Sequence, residues 1–101
     1  MRSKRIFFTP LLVLVLCSGC AVALYKPTAE HVSPDTTLEE LVEGRRLYVS
    51  NCSSCHALRL PEKYDEETWR KEIDEMGQRA ELDQDTKALI LKYLLHAPRH
   101  P

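Results

Sequence analysis

Cys52-Ser53-Ser54-Cys55-His56 is the segment of this chain whose residue types and spacing carry the most chemistry. Two thiols three positions apart near a helix end can reach the two vinyl groups on one edge of a porphyrin. The histidine that follows then lies under the ring with an imidazole nitrogen aimed at the iron. Thioether bonds do not dissociate, so a protein that leaves the cell interior keeps its haem. Other uses of a C-x-x-C pair fit less well. A thioredoxin-type redox pair needs a βαβ context, and no run here alternates apolar and polar residues as a strand does. A structural zinc site needs four ligands, and the residues after position 20 offer only Cys52 and Cys55 with scattered histidines. A disulfide at this spacing closes a small, strained loop. Cys52 and Cys55 are therefore read as the attachment points of one covalently bound haem c, and His56 as the proximal iron ligand.

The amino terminus reads as an export signal. Arg2, Lys4 and Arg5 precede an apolar run from Ile6 to Leu16, broken only by Thr9 and Pro10. The run is too short for a membrane-spanning helix, which needs about 20 apolar residues. A basic start, a short apolar middle and small residues after it describe a secretory signal peptide over residues 1–19. Leu16-Cys17-Ser18-Gly19-Cys20 resembles a lipobox, which makes Cys20 the candidate lipidation site. Ala21-Val22-Ala23 is an alternative A-x-A cleavage site. The expected location is the periplasmic side of a bacterial membrane, with a lipid anchor at Cys20. Residues 20–36 contain Pro27, Ser33 and Pro34 and show no apolar period, so they read as the anchor site and a flexible tether. Sixteen flexible residues reach about 20–25 Å.

Removing the signal peptide leaves eleven Lys plus Arg against fifteen Asp plus Glu, a formal charge of −4. A mildly acidic domain lacks the basic footprint of a nucleic-acid binder, but it can still dock electrostatically on a basic patch of a partner protein.

Three helices are needed to position the motif. The first opens at Thr37, with Glu40 completing a capping box, and carries Leu38, Leu41, Val42, Tyr48 and Val49 toward Asn51. The second opens at Asp65, places Trp69, Ile73 and Met76 on one face, and is expected to end at Gly77. The third starts near Asp83, carries Leu89, Ile90, Tyr93 and Leu94, and is stopped by Pro98. About 60 helical residues bury little apolar surface on their own. The haem supplies the missing core. The predicted fold is all-α, a small three-helix domain over residues 37–97 wrapped around one covalently attached haem, with residues 98–101 as a tail.

Over residues 37–97 the sequence resembles the class I, mitochondrial-type cytochrome c family in its short bacterial monohaem form. Gly44, Tyr48 and Cys52, each four apart, match that family's glycine and aromatic residue on the first helix. The resemblance implies that Gly44 admits a close crossing by the last helix and that Tyr48 packs on Tyr93. It also implies a methionine iron ligand before the last helix, which falls on Met76. His31, His96 and His100 are rival donors. Pro61 resembles the proline whose neighbouring carbonyl orients the proximal imidazole. Trp69, Arg59, Tyr64 and Arg79 are candidates to bond the haem propionates, Trp69 first because it shares a face with Met76.

An iron with both axial positions filled binds no substrate but changes oxidation state. The expected function is a His/Met-ligated monohaem electron carrier, not an enzyme, working between exported or membrane-bound partners such as a dehydrogenase and an oxidase or reductase. The alternatives are a ligand-binding haem sensor with an open sixth position, and a haem subunit of a larger oxidoreductase.

Overall fold

The computed structural model describes residues 23–53 and 58–99. Among them are three α-helices, α1 (Leu38–Cys52), α2 (Glu66–Arg79) and α3 (Gln84–Leu95), and no strand. Two single-turn 3₁₀ segments, Ala29–His31 and Pro61–Lys63, punctuate the connections. The all-α architecture expected from the sequence is the one observed. No described helix is long and apolar enough to cross a membrane.

Each helix starts where its cap predicts. The Thr37 hydroxyl accepts the Glu40 N–H at 3.2 Å while the Glu40 carboxylate accepts the Thr37 N–H at 3.1 Å. Asp65 caps α2 through the Thr68 N–H, and Asp83 caps α3 through the Thr86 N–H. Both carboxyl groups are held below the usual aspartate range by these bonds. A carboxylate at a helix start accepts an otherwise unpaired N–H and sits at the positive end of the dipole.

The end of α2 differs from expectation. Gly77 does not terminate it; the helix continues to Arg79. Glu81 takes the left-handed conformation instead, at φ 56°. The Leu82 N–H then reaches Gly77 O at 2.8 Å and the Glu81 N–H reaches Gln78 O at 3.3 Å, the paired bonds of a Schellman end. Gly77 has another use. A Cβ there would lie 2.4 Å from Lys87 Cδ, so the bare backbone gives the stem of this buried lysine its place. Lys87 reaches past it to Asp74 at 3.3 Å.

α1 and α3 form the main contact of the molecule. At their crossing a Cβ on Gly44 would lie 2.2 Å from Leu89 O and 2.9 Å from Tyr93 Cβ. Only glycine allows the two backbones to approach this closely. Leu41, Tyr48, Ile90, Tyr93 and Leu94 are buried along the seam, with Trp69 and Ile73 closing the core from α2.

Residues 24–36, expected as flexible tether, are laid against the helices. The Tyr25 ring stacks on Tyr93 with centroids 4.5 Å apart and planes 6° apart. Their hydroxyls are exchanged: each tyrosine O–H donates to the other's backbone carbonyl. Thr36 is buried and closes a short bridge with Ser33. Polar bonds, the Tyr25 ring and Leu24 hold this strap, contacts too few and irregular to leave an apolar period.

Candidate haem site

Cys52 ends α1 and is buried, 8% exposed. Met76 stands on α2 one turn beyond Ile73 and is half-buried. The two residues line the same pair of adjoining clefts, which also share Ile73 and Arg79. The first cleft is walled by Tyr48, Leu58, Tyr64 and Trp69, with Arg59, Glu72 and Glu75 among its polar residues. The second continues along Asn51, Gly77, Ala80 and Leu82. Cys55 and His56 lie outside the described residues, as does the Cys20 segment.

Two side chains fix the backbone where the chain emerges from the motif. The Tyr48 hydroxyl donates to Arg59 O at 2.7 Å and accepts the Arg59 N–H at 3.1 Å. Its burial pushes the phenol up to about 12. The Trp69 indole N–H donates to Pro61 O at 2.6 Å. These bonds moor residues 59 and 61 to α1 and α2, three and five positions after His56.

The Trp69 bond bears on the role expected of this residue. An indole has a single donor, and here it is committed to Pro61, with the ring only 2% exposed. Trp69 stands as a wall of the cleft, with its donor turned to Pro61. Its ring meets Tyr48 and Tyr64 edge-on, at centroid distances of 6.2 and 5.0 Å. The buried Pro61 turn is likewise engaged by Trp69 through its own carbonyl. Arg59 and Arg79 remain at the cleft as exposed cations, Arg59 with its guanidinium 5.6 Å from the Tyr64 ring centre.

The rival histidines are placed elsewhere. His31 Nδ1 accepts the Thr28 N–H at 2.9 Å and its ring leans on Tyr25. His96 bonds Lys92 O and the Ser33 hydroxyl. Neither lines the clefts. His100 lies outside the described residues.

The donor set fits a haem. An apolar slot carries a thiol on one helix and a soft thioether on another, with cations at the same slot to meet carboxylates. Leu58, Ile73, Glu72 and Glu75 belong to this slot, and sequence reasoning did not assign them to it. Ile73 alone had a signal, its shared face with Met76.

A small helical domain built around such a slot, lined by the first cysteine of a C-x-x-C-H motif, is the arrangement of a c-type cytochrome. A family model described as dihaem cytochrome c matches residues 48–100, slightly more than half of the chain. The chain belongs to that family. Its cofactor is accordingly covalently bound haem c, and the family points to electron transfer rather than to enzymatic turnover. The finding corrects the resemblance drawn from the sequence: the matched family is a dihaem one, not the short monohaem class I type. Neither the curated proteins nor the solved structures give a match.

Proposed function

We propose that this chain carries single electrons through one haem, bound by Cys52 and Cys55, with His56 and Met76 as axial ligands. The observation that carries this reading is that Cys52 and Met76 line the same slot from different helices. Haem iron held between imidazole and thioether changes oxidation state at a raised potential and offers no vacant position. The chain's own part would be to hold the haem through Cys52 at the end of α1 and Met76 on α2, and to limit water at the slot with Tyr48, Trp69 and Ile73. One haem per chain follows from a single C-x-x-C-H motif in these 101 residues. In the same reading residues 1–19 are a signal peptide, Cys20 bears lipid, and the domain works at the periplasmic face of a bacterial membrane between a dehydrogenase and an oxidase or reductase.

The dihaem description of the family supports a second reading, in which the chain supplies one haem of a pair inside a larger oxidoreductase. The two readings differ in what is isolated from native membranes: a lone cytochrome, or a stable complex with a second haem subunit.

The test of the first reading is spectroscopic. The holoprotein should contain one haem per chain that resists extraction into acidified organic solvent. Its oxidised form should show the weak far-red band of sulfur on ferric haem. Met76→Ala should abolish that band, lower the potential and admit carbon monoxide. A wild-type protein that lacks the band and binds carbon monoxide rapidly would give way to the sensor reading.

A further inference from the structure

The docked strap changes what a lipid at Cys20 does. Leu24 already packs against the core, and only residues 21–23 separate it from Cys20. Four Cα–Cα steps of extended chain span at most about 14 Å. Beyond Leu24, Tyr25 is held by its stack on Tyr93 and by Arg45, whose Nε–H donates to Tyr25 O at 3.3 Å. Lys26 and Pro27 are thereby set against the outward side of α1. With Val42, Arg45, Arg46 and Val49 they line one shallow, open groove.

The charge of this face departs from that of the chain. Lys26 and Arg45 enter none of the four ion pairs among the described residues, and Arg46 pairs with Glu43. Lys26 and Arg46 are exposed, and Val42 is 52% exposed between them and the helix start. The residues after position 20 are net acidic, so a cationic groove beside the anchor point is a local feature and not a reflection of composition.

We propose that this face seats on a bilayer containing anionic phospholipid, with Lys26, Arg45 and Arg46 meeting headgroup phosphates and Val42, Pro27 and Val49 touching the interface. The orienting role of the face rests on the proposed lipid at Cys20; its affinity for anionic headgroups does not. The occupant is argued from two observations: Leu24, four positions after the proposed lipid site at Cys20, is the first residue packed on the core beside this face, and the exposed charge is of the sign that anionic leaflets attract. At 100° per residue, Val42, Arg45, Arg46 and Val49 centre about 100° around α1 from Leu41, Gly44, Tyr48 and Cys52. Seated in this way, the bilayer covers a face of α1 distinct from the one that packs on α3.

The test has two arms. In the first, haem-loaded full-length mature protein made without lipid, as Cys20→Ser behind a soluble export signal, is sedimented with vesicles of phosphatidylcholine alone or with phosphatidylglycerol. Binding should require phosphatidylglycerol and fall with salt. It should also weaken about fivefold with Lys26→Gln and again with Arg46→Gln. Equal binding to both vesicles, no binding to either, or binding indifferent to both substitutions would overturn the proposal. An acidic protein partner as the true occupant would give the second of these results. In the second arm, the lipidated protein in oriented bilayers should show one haem tilt by polarised absorption, randomised by the double substitution. A tilt unaffected by the double substitution counts against the face. An unmodified amino terminus by mass spectrometry removes the lipid reading while leaving the first arm to decide the face.

Discussion

Tyr48 links the core to the haem segment through a single oxygen. Its hydroxyl satisfies both the N–H and the C=O of Arg59, so removing it leaves two backbone groups in a half-buried place without partners. Tyr48→Phe should therefore cost about 1–3 kcal/mol, measured by denaturant unfolding of the holoprotein. The Arg59 amide should also exchange its hydrogen faster. The same phenol gives a pH dependence. Burial raises Tyr48 and Tyr93 from 10.0 to about 12. The folded protein therefore keeps protons that the unfolded chain has given up. Stability from these groups is fully present below pH 10 and is lost as the pH climbs toward 12. Wild-type protein should unfold across that interval, and Tyr48→Phe should lessen the loss. Part of this was legible. The resemblance carried by Gly44, Tyr48 and Cys52 implied the contact with Tyr93, seen at a centroid distance of 6.1 Å. The hydroxyl's target was not, because a bond to a backbone atom leaves no trace in residue types.

At the scale of the helices, two glycines look alike in the sequence and differ in what surrounds them. An alanine at either gains about 1 kcal/mol of helix propensity. At Gly44 the new methyl meets Leu89 O at 2.2 Å, a carbonyl fixed in α3, so the helices must part. Gly44→Ala is expected to lower stability by about 1–3 kcal/mol net, seen as a lower midpoint of thermal unfolding. At Gly77 the methyl meets the flexible stem of Lys87, which can turn aside. Gly77→Ala should fall within about 1 kcal/mol of wild type. The caps at Thr37, Asp65 and Asp83 were readable because each is a local pattern of three or four residues. The end of α2 was misread for a related reason. A glycine after an apolar face is a common stop, but here Glu81 takes the left-handed turn and Gly77 is kept for packing.

For the molecule as a whole, the sequence showed what repeats and hid what pairs over distance. Helical spacing and the C-x-x-C-H motif gave the all-α class and the haem. The strap escaped because Tyr25 finds its partner 68 positions away. The bond from Trp69 to Pro61 escaped as well, since Pro61 belongs to a turn without periodicity. The close packing of α1 on α3 also bears on how the protein is made. Contacts between the first and last helices form only after the intervening chain has been closed into a loop, a slow and entropically costly step. A chain emerging amino-terminus first therefore exposes Cys52 and Cys55 well before Tyr93 and Leu94 arrive to bury α1. The order of synthesis leaves an interval in which both thiols are open to the haem attachment proposed for them, before the last helix arrives to close the fold. A chain ending at residue 83 should still acquire covalent haem in the exporting cell yet show no cooperative thermal unfolding. A truncated chain that melts cooperatively would show that the haem organises α1 and α2 without the final crossing.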